Sequence, residues 1–138
     1  MLVGGRDELQ AQDIIEIHQL IALYGHAIDA DDQSLVPLVF ASDGVFDSSA
    51  MGGPVIEGVE ALTAFYAASK PHLPPSHNTT NVYVYEQDGE TRVRSKWFMV
   101  NRRDNTVALG DYDDLVVRTD DGWRLRHRMV KVRHPKPA

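Results

Sequence analysis

The sequence predicts an α+β fold in which helices come first and an antiparallel meander follows. Two observations carry this expectation. Ile14, Ile17, Leu20, Ile21, Tyr24 and Ile28 recur at helical spacing and form one apolar stripe. Beyond the connector Lys70-Pro-His-Leu-Pro-Pro75, the chain turns to strands rich in Thr, Val and Tyr. They are joined at Asp88-Gly89 and Asp121-Gly122, pairs that tolerate the positive φ of hairpin turns. Helices separated in this way from strands pack on one face of the sheet. The 138 residues make one domain, 1–138, large enough for a core and too small for two.

The elements follow in order. Residues 1–10 read as a flexible lead. The first helix runs from about Asp13 to Asp29, with Asp13 able to accept from orphan first-turn donors. Asp29 lies on the flank of the apolar stripe, where a partly buried carboxylate can sit. A short second helix spans Gln33 to about Phe40, capped by Asp31 or Asp32 and limited by Pro37. Ser42-Asp43-Gly44 is a turn, Val45-Phe46-Asp47 a short strand, and 48–54 a loop. A third helix, about Val59 to Ser69, places Leu62, Phe65 and Tyr66 on one face. Four strands follow: His77 to Tyr85, Thr91 to Asn101, Thr106 to Thr119 and Trp123 to Val132. In the second, Val93, Ser95, Trp97 and Met99 alternate with Arg92, Arg94 and Lys96, so Trp97 is expected to be buried.

Composition excludes several classes. A net charge of −6 argues against nucleic acid as the partner. The basic run from Trp123 to His134 reads as a strand with a solvated charged side, or else as a patch for an anionic ligand. The absence of cysteine removes disulfides, thiolate metal sites and cysteine nucleophiles. No apolar run approaches the ~20 residues that span a bilayer, so no membrane association is expected. Met1-Leu2-Val3-Gly4-Gly5 lacks the pattern of a signal peptide, and the expected location is the cytoplasm. There is no P-loop, GxGxxG or Gly-x-Ser-x-Gly signature, and the histidines have no compact metal spacing. Neither a cofactor nor a metal is expected.

The candidate site residues are Asp29, His77, Tyr24, Trp97, Tyr112 and His127. Asp29 either closes the turn before the second helix or orients an imidazole. His77 opens a strand and is either a structural hydrogen-bonder or an acid–base group. Tyr24, Trp97 and Tyr112 are amphipathic rings that pack the core or wall a pocket with a polar tip toward the ligand. His127 shares a phase with Trp123, Leu125 and Met129 and is expected to face inward. Asp114 shares a face with Tyr112 and is either a second pocket carboxylate or the partner of a C-terminal arginine. His26 and His18 lie off the apolar stripe, and His72 belongs to the proline-rich loop.

The collinear motifs Tyr24…Asp29-x-x-Asp32, Phe40-x-x-Asp43-x-Val-Phe, Gly58, His77-x-x-x-Asn81, Asp88-Gly89-Glu90, Gly110-Asp-Tyr112-Asp-Asp114 and Asp121-Gly122-Trp123-Arg124 cover most of the chain. In them the sequence resembles the SnoaL-like family of the nuclear transport factor 2-like (NTF2-like) superfamily, in the branch of scytalone dehydratase. The resemblance implies a cone-shaped fold: three N-terminal helices on a strongly curved, mostly antiparallel sheet that encloses a pocket. It also implies that Asp29 and His77 form a proton-transfer pair, with Tyr24 at an aromatic pocket position. That branch carries a second histidine on the strand near Trp97–Arg102, where this chain has none, and tyrosines where it has Ile28 and Ser48. His127 is the candidate replacement for the missing histidine.

The expected activity is cofactor-independent general acid–base chemistry on a small, apolar, oxygenated molecule, polyketide- or steroid-like. The reaction is dehydration, isomerisation or cyclisation; the alternative is a non-catalytic ligand-binding or assembly module. Apolar residues in both phases of the later strands point to a homodimer through the outer sheet face, with trimers also known in the family.

Overall fold

The computed structural model describes residues 8–30 and 32–136. Helix α1 (Ala11–Asp29) buries Ile17, Leu20, Ile21, Tyr24 and Ile28 of the expected stripe, with Ala27 beside them, and leaves Ile14 half-buried. It starts earlier than the stripe suggests. Asp13 is therefore the third helical residue rather than the cap, and it reaches back to accept from the Gln10 N–H at 2.7 Å. At the other end, Lys70 Nζ donates to the carbonyls of Ile28 (3.3 Å), Asp29 (2.7 Å) and Ala30. A cation there satisfies orphan carbonyls and favours the helix dipole. Of the expected flexible lead, residues 1–7 lie outside the described residues, while Leu9 packs against the core.

Gln33–Leu38 form a six-residue 3-10 helix with Pro37 inside it, and Asp32 accepts from the Ser34 N–H at 2.9 Å. Asp31, the other candidate cap, lies outside the described residues. Strand β1 (Phe40–Asp47) runs through the segment expected to turn at Ser42-Asp43-Gly44. Its register slips between Phe40 and Val45, so these residues bulge the strand instead of reversing it. The expected loop 48–54 contains a short 3-10 turn (Ser49–Met51), and a three-residue edge strand, β2 (Val55–Glu57), follows it. Helix α2 (Val59–Ser69) follows Gly58, whose φ of 90° suits glycine.

Strands β3 (Asn78–Gln87), β4 (Glu90–Val100), β5 (Val107–Thr119) and β6 (Gly122–His134) complete the chain. Asp88 and Gly89 take positive φ at the β3–β4 turn, as their residue types predict. The sheet order is β2-β1-β6-β5-β4-β3, and only β1–β6 is parallel. The result is helices on a six-stranded mixed sheet. None of the described helices is long and apolar enough to cross a membrane.

One irregularity decides the contents of the core. Val116 pairs with Leu125 and Leu115 with His127, so Arg126 is an extra residue on β6. The bulge inverts the alternation: Trp123 and Leu125 are buried before it, Arg128 and Val130 after it. His127 therefore faces outward, which corrects the expectation that it lines the interior. Its Nε2 lies 3.6 Å from Asp47. The outer basic residues beside it pair as a solvated strand face would: Arg126 with Asp43, Lys131 with Asp113, Arg133 with Asp111.

Buried Asp13 ties α1 to the β5–β6 hairpin, accepting from Gln10 N, Arg118 Nη2 (2.9 Å) and Trp123 Nε1 (3.3 Å). The Gln10 N–H is the largest influence holding its carboxyl below the usual carboxylate range; burial opposes this, and Trp123 and Arg118 reinforce it. A depressed folded pKa stabilises the fold above the unfolded value and loses that contribution as pH falls through the folded one. Asp13→Asn is expected to cost about 1–3 kcal/mol at pH 7. The gap from wild type should close in acid. Urea melts across that range check it; an equal gap at every pH would remove the charge of Asp13 from the explanation.

Candidate active site

The last turns of α1 carry Tyr24, Gly25 and Asp29 against His77, the residue just before β3. Gly25 makes this approach possible. A Cβ at Gly25 would lie 2.6 Å from the His77 carbonyl oxygen, inside any real contact distance. Backbone therefore meets backbone, and the Asp29 side chain reaches both polar groups of His77. Oδ2 accepts the His77 backbone N–H at 2.8 Å, and Oδ1 lies 2.6 Å from ring Nδ1. Asp32 does the capping of the next segment, which leaves Asp29 to the imidazole.

The pair is sheltered, with side-chain exposures of 7% for His77 and 23% for Asp29. With Nδ1 carrying the proton toward Asp29, the tautomer is fixed and Nε2 holds a lone pair. Nε2 has no hydrogen-bond partner among the described residues.

A cluster of aromatic rings adjoins the imidazole through Tyr24. Tyr24 meets it edge-on, with centroids 6.1 Å apart at 88°. Its hydroxyl is 3.0 Å from that of Tyr66. Tyr112 lies 5.9 Å from Tyr24, and Trp97 lies 6.2 Å from Tyr112. The Trp97 indole N–H donates to the Asp111 carbonyl at 3.2 Å, so this donor is already used within the fold. Burial raises the pKa of Tyr24, and those of Tyr66 and Tyr112 well above the ordinary phenol value, which keeps all three as neutral donors. The charge of Asp29 contributes to the shift of Tyr112, placing that phenol within electrostatic reach of the pair. Tyr24, Phe40, Tyr66, Trp97 and Tyr112 are each 3% exposed or less, so these rings belong to the interior.

Asp114 is not an isolated pocket acid. Arg128 holds it through two hydrogen bonds, Nε to Oδ1 at 2.9 Å and Nη2 to Oδ2 at 2.8 Å, the arginine pairing weighed from the sequence. The Arg128 Cζ lies 3.7 Å from the Tyr112 ring centroid and 4.1 Å from that of Tyr24. Burial raises the Asp114 pKa, opposed by the Arg128 charge; for Arg128, burial is outweighed by Asp114, and the guanidinium stays protonated. Tyr66 and Arg128 are the residues that sequence reasoning did not assign to the site. Arg128 carried a signal, since it shares a phase with Val130 and Val132. Among the described residues, no group of three or more His, Cys, Asp or Glu is arranged to hold a metal.

Residues 9–129 match the family described as the SnoaL-like domain. The chain belongs to the SnoaL-like family. Solved structures extend the likeness to the fold. A candidate aromatic ring hydroxylase from Novosphingobium aromaticivorans is 26% identical, with a TM-score of 0.76 over 93% of this chain and 94% of that one. A candidate scytalone dehydratase from the same organism is 17% identical, with a TM-score of 0.73 over 92% and 91%. An NTF2-like protein of cystatin-like fold, also from that organism, is 21% identical, with a TM-score of 0.71 over 96% and 94%. No curated protein matches the chain. This SnoaL-like chain thus has the NTF2-like α+β fold.

The close approach at Gly25 is testable in this SnoaL-like site. Gly25→Ala must push the start of β3 off α1, because the obstructing atom is backbone. The expected cost is about 1–3 kcal/mol, with loosening of the Asp29–His77 contact. Thermal melts and the ¹⁵N tautomer spectrum of His77 read both effects. An unchanged melt and a pure Nδ1–H tautomer would mean that the contact has slack.

Proposed function

We propose that this SnoaL-like protein is a cofactor-independent acid–base enzyme acting on a small, apolar, oxygenated ketone, polyketide- or steroid-like. The observation that carries the reading is the clamp on His77. Asp29 fixes its backbone and its ring together, and Nε2 is left without a partner among the described residues. In this reading Nε2 takes a proton from the carbon alpha to a carbonyl, and Tyr112 donates to the carbonyl oxygen as it gains charge. The imidazolium then returns the proton to carbon, giving isomerisation. Alternatively it gives the proton to a β-hydroxyl as the C–O bond breaks, and water leaves. The Pro71–Pro75 connector, which leaves the 3-10 turn Lys70–His72 and ends close to His77 in the chain, is the proposed entry.

The test is deuterium exchange alpha to the carbonyl of 2-tetralone in D₂O, followed by NMR, for wild type, His77→Gln and Asp29→Asn. Exchange by wild type that both variants lose supports the reading; equal exchange by all three removes it. The outward turn of His127, the candidate second histidine, favours a second reading, a non-catalytic module that binds such ligands without turnover. It predicts saturable binding of 2-tetralone with no exchange above buffer.

Assembly belongs to the proposal. The outer sheet face leaves Tyr83, Phe98, Val100, Val107 and Leu109 exposed beside the Lys96–Asp111 and Lys131–Asp113 ion pairs. Apolar residues interleaved with both charges suit a second copy of the same face. Sedimentation at micromolar concentration should give a dimer; a 15.4 kDa species alone would count against it.

A further inference from the structure

The most deeply buried cation of the described chain is not used by the acid–base scheme above. Arg128 has no solvent exposure. Two of its three nitrogens are committed to Asp114, through Nε and Nη2. The third, Nη1, is buried and has no hydrogen-bond partner among the described residues. Holding β5 to β6 beside the bulge accounts for the first two nitrogens and not for the third. Leaving a charged donor unsatisfied in the interior is costly, and native structures rarely keep one without a use.

The position of this group gives it a use. Its Cζ lies over Tyr112 and Tyr24, and Tyr24 is the ring that abuts His77. A second orphan shares the same inner face: Ser95 Oγ on β4 is buried and unpartnered, and Ser95 sits directly opposite Tyr112 in the ladder. Two unsatisfied donors thus flank Tyr112 on adjoining strands.

We propose that Arg128 Nη1 is a second oxygen-binding donor of the interior site beside Tyr112, taking a single carbonyl, enolate or phenolate oxygen of the ligand, with Ser95 Oγ as a neighbouring polar contact. Asp114 fills the side-on fork of Nε and Nη2, and its negative charge beside the guanidinium disfavours a second carboxylate or a phosphate. Nη1 is the nitrogen left wholly unpartnered, and it fits one oxygen. Asp114 neutralises the guanidinium charge overall. The fixed N–H groups of Nη1 therefore favour an oxygen that gains negative charge more than a ligand already fully ionised. The assignment rests on the reading that the ligand occupies this interior, and it is independent of whether His77 moves a proton.

The experiment compares two flat probes, 2-naphthol and naphthalene, by equilibrium dialysis against the full chain. Wild type should bind 2-naphthol at least about tenfold more tightly, the effect of one hydrogen bond from a charged donor. The paired variant Arg128→Met with Asp114→Leu leaves no unpaired ion in the core. It should bind both probes alike, with naphthalene affinity close to that of wild type. His77→Gln should keep the naphthol preference while losing proton exchange, so failure of the acid–base reading would leave this assignment standing. Should the paired variant fail to fold, the Nη–H resonances of Arg128 in wild type decide. They should shift with 2-naphthol and not with naphthalene. Equal binding of the probes by wild type, binding of neither, a preference that survives in the paired variant, or unmoved Arg128 resonances each overturn the assignment. The orphan donor would then be served by trapped water alone.

Discussion

His77→Gln is expected to slow alpha-proton exchange on 2-tetralone by roughly 100- to 10,000-fold, the usual worth of a positioned general base. The fold should be unaffected, because the structural contact at this position is the backbone N–H to Asp29, which glutamine retains. Asp29→Asn should lose a similar factor for a different reason. The asparagine oxygen would accept the His77 backbone N–H, which must be satisfied. The amide nitrogen would then face Nδ1 as a donor. That forces the other tautomer, with the proton on Nε2 and no lone pair toward the ligand. The two variants are thus separable: both lose exchange, but only Asp29→Asn changes the imidazole tautomer seen by ¹⁵N NMR. An Asp29→Asn protein that keeps full exchange would take the carboxylate out of the mechanism.

The legible parts of this chain are those where one physical signal acts alone. The α1 stripe and the Asp88-Gly89 turn are set by local periodicity and by backbone φ, and the structure has both. The segment around Asp43-Gly44 carries the composition of a turn, yet parallel pairing with β6 draws it into a bulged strand. That pairing partner lies far along the chain, beyond any local pattern. The bulge at Arg126 misled in another way. β6 offers two competing alternations, Leu125-His127-Met129 and Arg128-Val130-Val132, and a single extra residue uses both in succession. An arginine within a basic run reads as solvated until its partner Asp114 is seen across the ladder. Asp29 and His77 were marked by family resemblance. Their actual juxtaposition depends on Gly25, which in sequence is only a weak helix position.

That same ladder sets the largest expected loss of stability. Arg128→Met alone should destabilise the fold by about 3–5 kcal/mol, because it leaves Asp114 buried without its counter-charge. Methionine nearly fills the space of the arginine stem, so a cavity adds little. The unpaired carboxylate dominates; it can relieve itself only by protonation or by drawing in water. In a domain of this size the loss corresponds to a fall of roughly 10–20 °C in Tm. Asp114→Leu added to Arg128→Met should recover most of it, since an apolar pair of similar volume replaces an ion pair at little cost. The double-mutant cycle therefore predicts strong coupling, with the single variant far less stable than the double. Circular-dichroism melts of the three proteins measure it. If Arg128→Met melts within a degree or two of wild type, the ion pair contributes little to the fold, and Arg128 must owe its burial to something other than Asp114.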